Sequence, residues 1–163
     1  MSEELISMVS CATDTATRNI GAEAVLEAIR TGGKKLRGQI QQIRNRFEAE
    51  LAFTGDQKKA KLAIDPLKKQ LPAVTCSGQF SRRENGSLVK HKGLLCADLD
   101  SLGPELVEVR KKLEASPHVV AVFLSPSGDG LKAIFRIPAD VSQHAASFRA
   151  VEKYTRDLTG VPD

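Results

Sequence analysis

Apolar residues recur at Leu36, Ile40, Ile43, Phe47 and Leu51, at spacings of four, three, four and four. That rhythm lays one apolar stripe along a helix. Arg37, Gln41, Asn45 and Glu48 occupy its other face. Upstream, Leu5 to Val9 reads as a short strand and residues 13–21 as a loop. Ala22 to Arg30 reads as a helix stopped by Gly32 and Gly33. Downstream, residues 54–72 read as a basic linker, or as a helix interrupted near Pro66.

The texture changes at Pro72. "AVTCSGQF" predicts a strand that turns at Gly78, and Asn85-Gly86 is a hairpin-turn signal. Leu94 to Asp98 is an apolar run with little alternation, as in a strand covered on both faces. Gly103 and Pro104 open a helix carrying Leu106, Val109 and Leu113. Val119 to Leu124 predicts another strand. Leu131 to Ile137 alternates, with Lys132, Ile134 and Arg136 on one side. Ser142 can cap a last helix with Phe148, Val151 and Leu158, ended by Gly160. The order strand, helix, strand, strand, helix predicts an α+β fold. Its core is an RRM-like (split βαβ) mixed sheet with helices packed on one face. This divides the chain into an N-terminal strand and helical region, residues 1–71, and a core, residues 72–163.

A length of 163 residues fits a single domain with an N-terminal appendage. Six Phe, one Tyr and no Trp argue against a broad aromatic platform for stacking bases. A net charge of +4 permits an anionic partner without identifying one. Cys11, Cys76 and Cys96 are odd in number and form no CxxC pair. That argues against a disulfide framework or zinc site and points to the reducing cytoplasm. No secretory leader or membrane-length apolar run is apparent, so no membrane association is expected.

Asp98-Leu99-Asp100 closes the apolar run. Residues i and i+2 of a strand share a face, so both carboxylates would leave the sheet on one side. Such a pair can hold Mg²⁺ or Mn²⁺, and two metals about 3.5–4 Å apart clamp nucleotidyl transfer. D-x-D is short and common, however, and a polar strand end with Asp100 capping the next turn explains it equally well. "SPSGDGLK" (Ser125 to Lys132) is the second constellation. Gly128 and Gly130 permit positive φ and close backbone approach, Ser125 and Ser127 can donate to phosphate, and Lys132 adds a charge. A plain hairpin turn remains the alternative. It is not a P-loop, because the G-x-x-x-x-G-K-[ST] spacing is absent. If the two strands are neighbours, metal and triphosphate sites share one sheet face.

Basic residues cluster at Lys34–Arg46, including Arg44, and at Lys58–Lys69, including Lys61; most read as a solvated face. Arg82, Arg83 and Arg136 are the better candidates for nucleotide or template contact. His91 could line the site; His118 and His144 read as structural or solvated. No order of residues points to a covalent nucleophile.

"KKQLPAVTCSGQF", "HKGLLCADLD", "SPHVVAVFLSPSGDGLKAIFRI" and "GVPD" together resemble the VirE-type N-terminal domain of the archaeo-eukaryotic primase (primase-polymerase) superfamily. The resemblance implies that Asp98 and Asp100 form the catalytic metal motif, with Mg²⁺ or Mn²⁺ as cofactor. It implies that Ser125, Ser127, Gly128, Gly130 and Lys132 hold the phosphates of an NTP or dNTP, on a single-stranded DNA template. Lys132 stands where many members carry a histidine. A third metal carboxylate, expected on a later strand, is missing before Asp163, and Asp163 itself is a poor substitute. The chain thus reads as a truncated catalytic part that a helicase-like domain could follow. A catalytically inactive nucleic-acid-binding module of a mobile-element or phage replication protein is the alternative. A sugar-nucleotide transferase, which also uses D-x-D, is disfavoured because the upstream nucleotide-binding pattern is missing.

Overall fold

Strand β1 (Leu5–Val9) is the centre of a three-stranded antiparallel sheet. It pairs with β2 (Arg18–Gly21) on one side and β3 (Ala73–Thr75) on the other. The computed structural model describes residues 5–161. Asp163 therefore lies outside the described residues. β2 falls within the segment expected to be loop. Its four residues grade from exposed Arg18 to buried Gly21 and never alternate, so no strand period betrays it. The β1–β3 pairing joins residues on both sides of position 71.

Helix α1 (Ala22–Thr31) is followed by α2 (Lys34–Thr54), which carries the expected stripe. Ile43 and Phe47 bury against Ala60 and Ile64 of α3 (Gln57–Lys68), with Leu71 closing this small core. Asp56 caps α3 by accepting from the N–H groups of Lys58 and Lys59. The helix runs through Pro66, because the next free N–H groups resume the ladder. Lys69 N–H reaches the Asp65 carbonyl at 3.0 Å. Strands β4 (Gly78–Phe80) and β5 (Leu88–His91) form the expected hairpin, with Gly86 at φ +83°.

The remainder is β6 (Leu94–Leu99), α4 (Leu106–Glu114), β7 (Val119–Leu124), β8 (Leu131–Arg136) and α5 (His144–Thr159). The strand order is β6-β8-β7. The α+β class and the helices on one face are as expected, and the sheet is antiparallel throughout. Leu95, Ala97, Leu99, Leu131, Ala133 and Phe135 point to one face and pack with Val109, Leu113 and Val151. The opposite face carries Cys96, Asp98, Lys132 and Ile134 by alternation. Asp140, rather than Ser142, caps the last helical segment. It accepts from the Ser142 N–H at 2.9 Å and opens a single 3-10 turn before α5. Among the described residues, no helix is long and apolar enough to cross a membrane.

Candidate functional site

The register of β6 on β8 places Asp98 directly opposite Lys132. Their side chains meet across the strands, Nζ to Oδ2 at 2.5 Å. Strands that were only conditionally neighbours in sequence are adjacent, so acid pair and glycine turn meet at one end of one sheet.

Asp100 lies just past the end of β6, in a turn whose next residue, Ser101, has φ +60°. A non-glycine residue in that region is uncommon and needs support from its surroundings. Support comes from two sides. The Leu102 N–H donates to the Asp129 carbonyl at 2.9 Å. Lys61 of α3 donates to the Ser101 hydroxyl at 2.9 Å and pairs with Asp100 at 3.2 Å. The same ammonium lies 3.8 Å from Asp129. The Asp129 side chain, only 10% exposed, also accepts from Ser127 Oγ at 2.5 Å and Gln57 Nε2 at 3.3 Å. Asp129 is thus a third carboxylate at this end of the sheet, from the glycine turn rather than from a later strand. Gly130 lets the turn lie under β6: a Cβ there would stand 2.4 Å from the Leu99 carbonyl oxygen and 3.3 Å from Asp100 Oδ1.

Two details differ from expectation. Asp98 and Asp100 do not converge on one partner, because the strand ends between them and each carboxylate meets its own lysine. The Ser125 and Ser127 hydroxyls turn inward: both residues are buried, their oxygens lie 3.1 Å apart, and Ser127 donates to Asp129. Gly128 takes φ +82°, with Arg44 of α2 against it. Arg136 lies four residues from Lys132, about 13 Å along β8. Arg82 and Arg83 are not brought to this face. They sit in the β4–β5 connection and tie to the N-terminal loop, Arg82 to Thr15 at 3.3 Å and Arg83 to the Ala12 carbonyl.

Lys61, Gln57 and Arg44 are the site residues that sequence reasoning missed. The two basic residues are legible only as members of solvated runs, and nothing local ties them to residues 39 or more positions away.

Two further pairs flank the sheet. Cys76 and Cys96 line one cavity on the open face. A hydrogen bond from Cys96 holds the Cys76 thiol below its ordinary value. That same bond, then burial, pushes the Cys96 thiol up. His91 Nε2 lies 2.9 Å from His144 Nδ1, and the Gly93 N–H donates to His91 Nδ1. Burial first, then the His144 charge, holds the His91 pKa below its usual value. His91 therefore engages the start of α5 rather than the aspartates.

Carboxylate oxygens are the donor type that Mg²⁺ and Mn²⁺ prefer. Among the described residues, no three His, Cys, Asp or Glu side chains are grouped to hold a metal by themselves. The Asp98 and Asp100 carboxylates each already attract a cation, an ammonium. Mg²⁺ commonly needs only one or two protein carboxylates, completing its shell with water and substrate phosphate. The donor set fits an ion that arrives with a phosphate ligand.

A family model described as BT4734-like, N-terminal domain, matches residues 66–162, more than half of the chain. This corrects the resemblance to the VirE-type primase-polymerase domain, since the matched family is a different one and no primase family matches. The motifs behind that resemblance are a strand-end acid pair and a glycine turn, local solutions open to any antiparallel βαββα sheet. No curated protein and no solved structure matches the chain.

Proposed function

The chain belongs to the BT4734-like N-terminal domain family, and from the sheet geometry within the matched region we infer a metal-dependent nucleotide-binding and nucleotidyl-transfer site. The observation that carries this is the cross-strand register of Asp98 on Lys132, beside a glycine turn that brings Asp129 next to Asp100. Acid and base stand together on a sheet face, at a cavity mouth, with ion pairs weak enough to exchange. The Asp98 and Lys132 side chains are 53% and 28% exposed, so their pair contributes about 0–1 kcal/mol.

Without nucleotide, Lys132 and Lys61 neutralise the carboxylates. An incoming triphosphate offers the lysines stronger, charge-assisted acceptors. Asp98 and Asp100 are then free to hold Mg²⁺ or Mn²⁺, which would neutralise charge developing on the phosphates. Lys132 orients the phosphate chain from β8. Lys61 keeps the Asp100 turn in its left-handed conformation through Ser101. The Gly128 to Gly130 backbone lets the chain approach closely. Positioning and electrostatic stabilisation carry the chemistry, with no covalent intermediate on the protein. Single-stranded DNA is the proposed template partner, consistent with the positive net charge of +4.

The test is nucleotide incorporation on primed single-stranded DNA with Mn²⁺. Wild type should incorporate, and the double variant Asp98→Ala, Asp100→Ala should not; equal incorporation by both would sink the assignment. One observation favours a second reading, a non-catalytic nucleic-acid-binding module: both aspartates are already neutralised by lysines. That reading predicts salt-dependent DNA binding with no metal-dependent nucleotide binding.

A further inference from the structure

Between the open face of β6–β8–β7 and the N-terminal helices lies a cavity of about 440 Å³. That is within the range of small-molecule sites, roughly 300–1,000 Å³. Leu26 and Ile40 line it from the helices, and Phe123 and Ile134 from the sheet. Lys132 and Ser125 also line it, so it adjoins the aspartate site. Arg44 enters from α2 and lies against the glycine turn, with Nε 3.4 Å from where a Cβ on Gly128 would stand.

Arg44 has an unmet demand. Its Nε is buried without a hydrogen-bond partner, and among the described residues no carboxylate pairs with it. Such an N–H is costly to leave unpaired, and a native protein that keeps one calls for an explanation. The neighbouring carboxylates already have ionic partners: Asp98 faces Lys132, and Asp100 and Asp129 share Lys61. Arg44 is therefore the cation on this cavity without a direct partner, and an anion with an apolar-faced body satisfies both its free N–H and the walls.

We propose that Arg44 contacts a phosphate of the bound nucleotide and that the cavity beside it receives the nucleoside base, which rests on the nucleotide reading above. The base would lie against Phe123 and Ile134, with the Cys76 and Cys96 thiols beside its polar edge. The nucleotide would then bridge the helices and the sheet.

Isothermal titration of the full chain with Mn²⁺-ATP and Mn²⁺-tripolyphosphate tests this. Wild type should bind ATP more tightly than tripolyphosphate. Arg44→Gln should weaken both about tenfold or more, the effect of losing one charge-assisted hydrogen bond. Its melting temperature should not fall, and Arg44→Lys should recover part of the affinity. Ile134→Trp, which fills the cavity, should reduce ATP affinity to that for tripolyphosphate and leave the latter unchanged. Leu26→Trp makes the same test from the opposite wall should Ile134→Trp fail to fold. Wild-type affinity in Arg44→Gln, or equal wild-type affinity for ATP and tripolyphosphate, overturns the proposal while the nucleotide reading stands. Binding of neither ligand by wild type overturns both.

Discussion

Replacing Gly130 with alanine tests the link between fold and site in one step. The added Cβ would meet the Leu99 carbonyl oxygen at 2.4 Å, Asp100 Cα at 3.2 Å and Asp100 Oδ1 at 3.3 Å. The first contact is with backbone in a paired strand, so no side-chain rotation relieves it. To reach an ordinary contact the end of β6 must retreat by about 1 Å, a core overpacking that typically costs about 1–3 kcal/mol. Leu99 is fully buried among residues that include Leu113 and Leu131, so moving its carbonyl also disturbs the main core. For a chain of this size each kcal/mol lowers the melting temperature by about 2–4 °C, giving a fall of about 2–12 °C. Circular dichroism melting at 222 nm reads this without tryptophan. Gly33→Ala is the control: nothing lies within 4 Å of its Cβ, and its φ is −73°. A Gly130→Ala melting temperature within 1 °C of both wild type and the control would refute the close approach of the turn to β6. It would also remove the reason for placing Asp100 beside Asp129.

Other consequences are equally direct. Gly38, exposed inside α2 with nothing within 4 Å of its Cβ, should accept alanine with a gain of about 0.5–1 kcal/mol in urea denaturation; a loss would mean that the helix is interrupted there. His91 has a folded pKa below its usual 6.5, so the unfolded chain takes its proton first. Stability should therefore decline as pH falls from about 6.5 towards the folded pKa, and His91→Gln should flatten that decline between pH 7.5 and 5.5. An unchanged pH slope in the variant would remove His91 as its cause. Iodoacetamide at pH 8 should modify Cys76 before Cys96, because the thiol pair favours the Cys76 thiolate; peptide mass spectrometry showing the reverse order would contradict that polarity.

Legibility followed the range of the interaction. The α2 stripe, the β7 run and the β8 alternation are local, and each appears where the apolar spacing puts it. β2 was missed because its four residues alternate with nothing and are held by pairing to β1. Asp98 and Asp100 were visible as chemistry, but their partners were not. The register that sets Asp98 against Lys132 spans 34 residues, and the ion pair of Asp100 with Lys61 spans 39. Lys61 and Arg44 look in sequence like any solvated lysine and arginine; only packing of α2 and α3 against the sheet end distinguishes them. Family membership was misread for the same reason. Short motifs record local geometry, which unrelated sheets can share.

The proposed metal site can be read through the paramagnetism of Mn²⁺, whose sharp resonance in solution is lost on binding. Free-Mn²⁺ electron paramagnetic resonance, with ATP held constant, should show signal loss on adding wild-type protein. The same titration with Asp98→Asn, Asp100→Asn should leave the signal at its protein-free level, while circular dichroism confirms that the variant is folded. Equal signal loss with both proteins would contradict a metal–nucleotide site on the open face of β6–β8–β7.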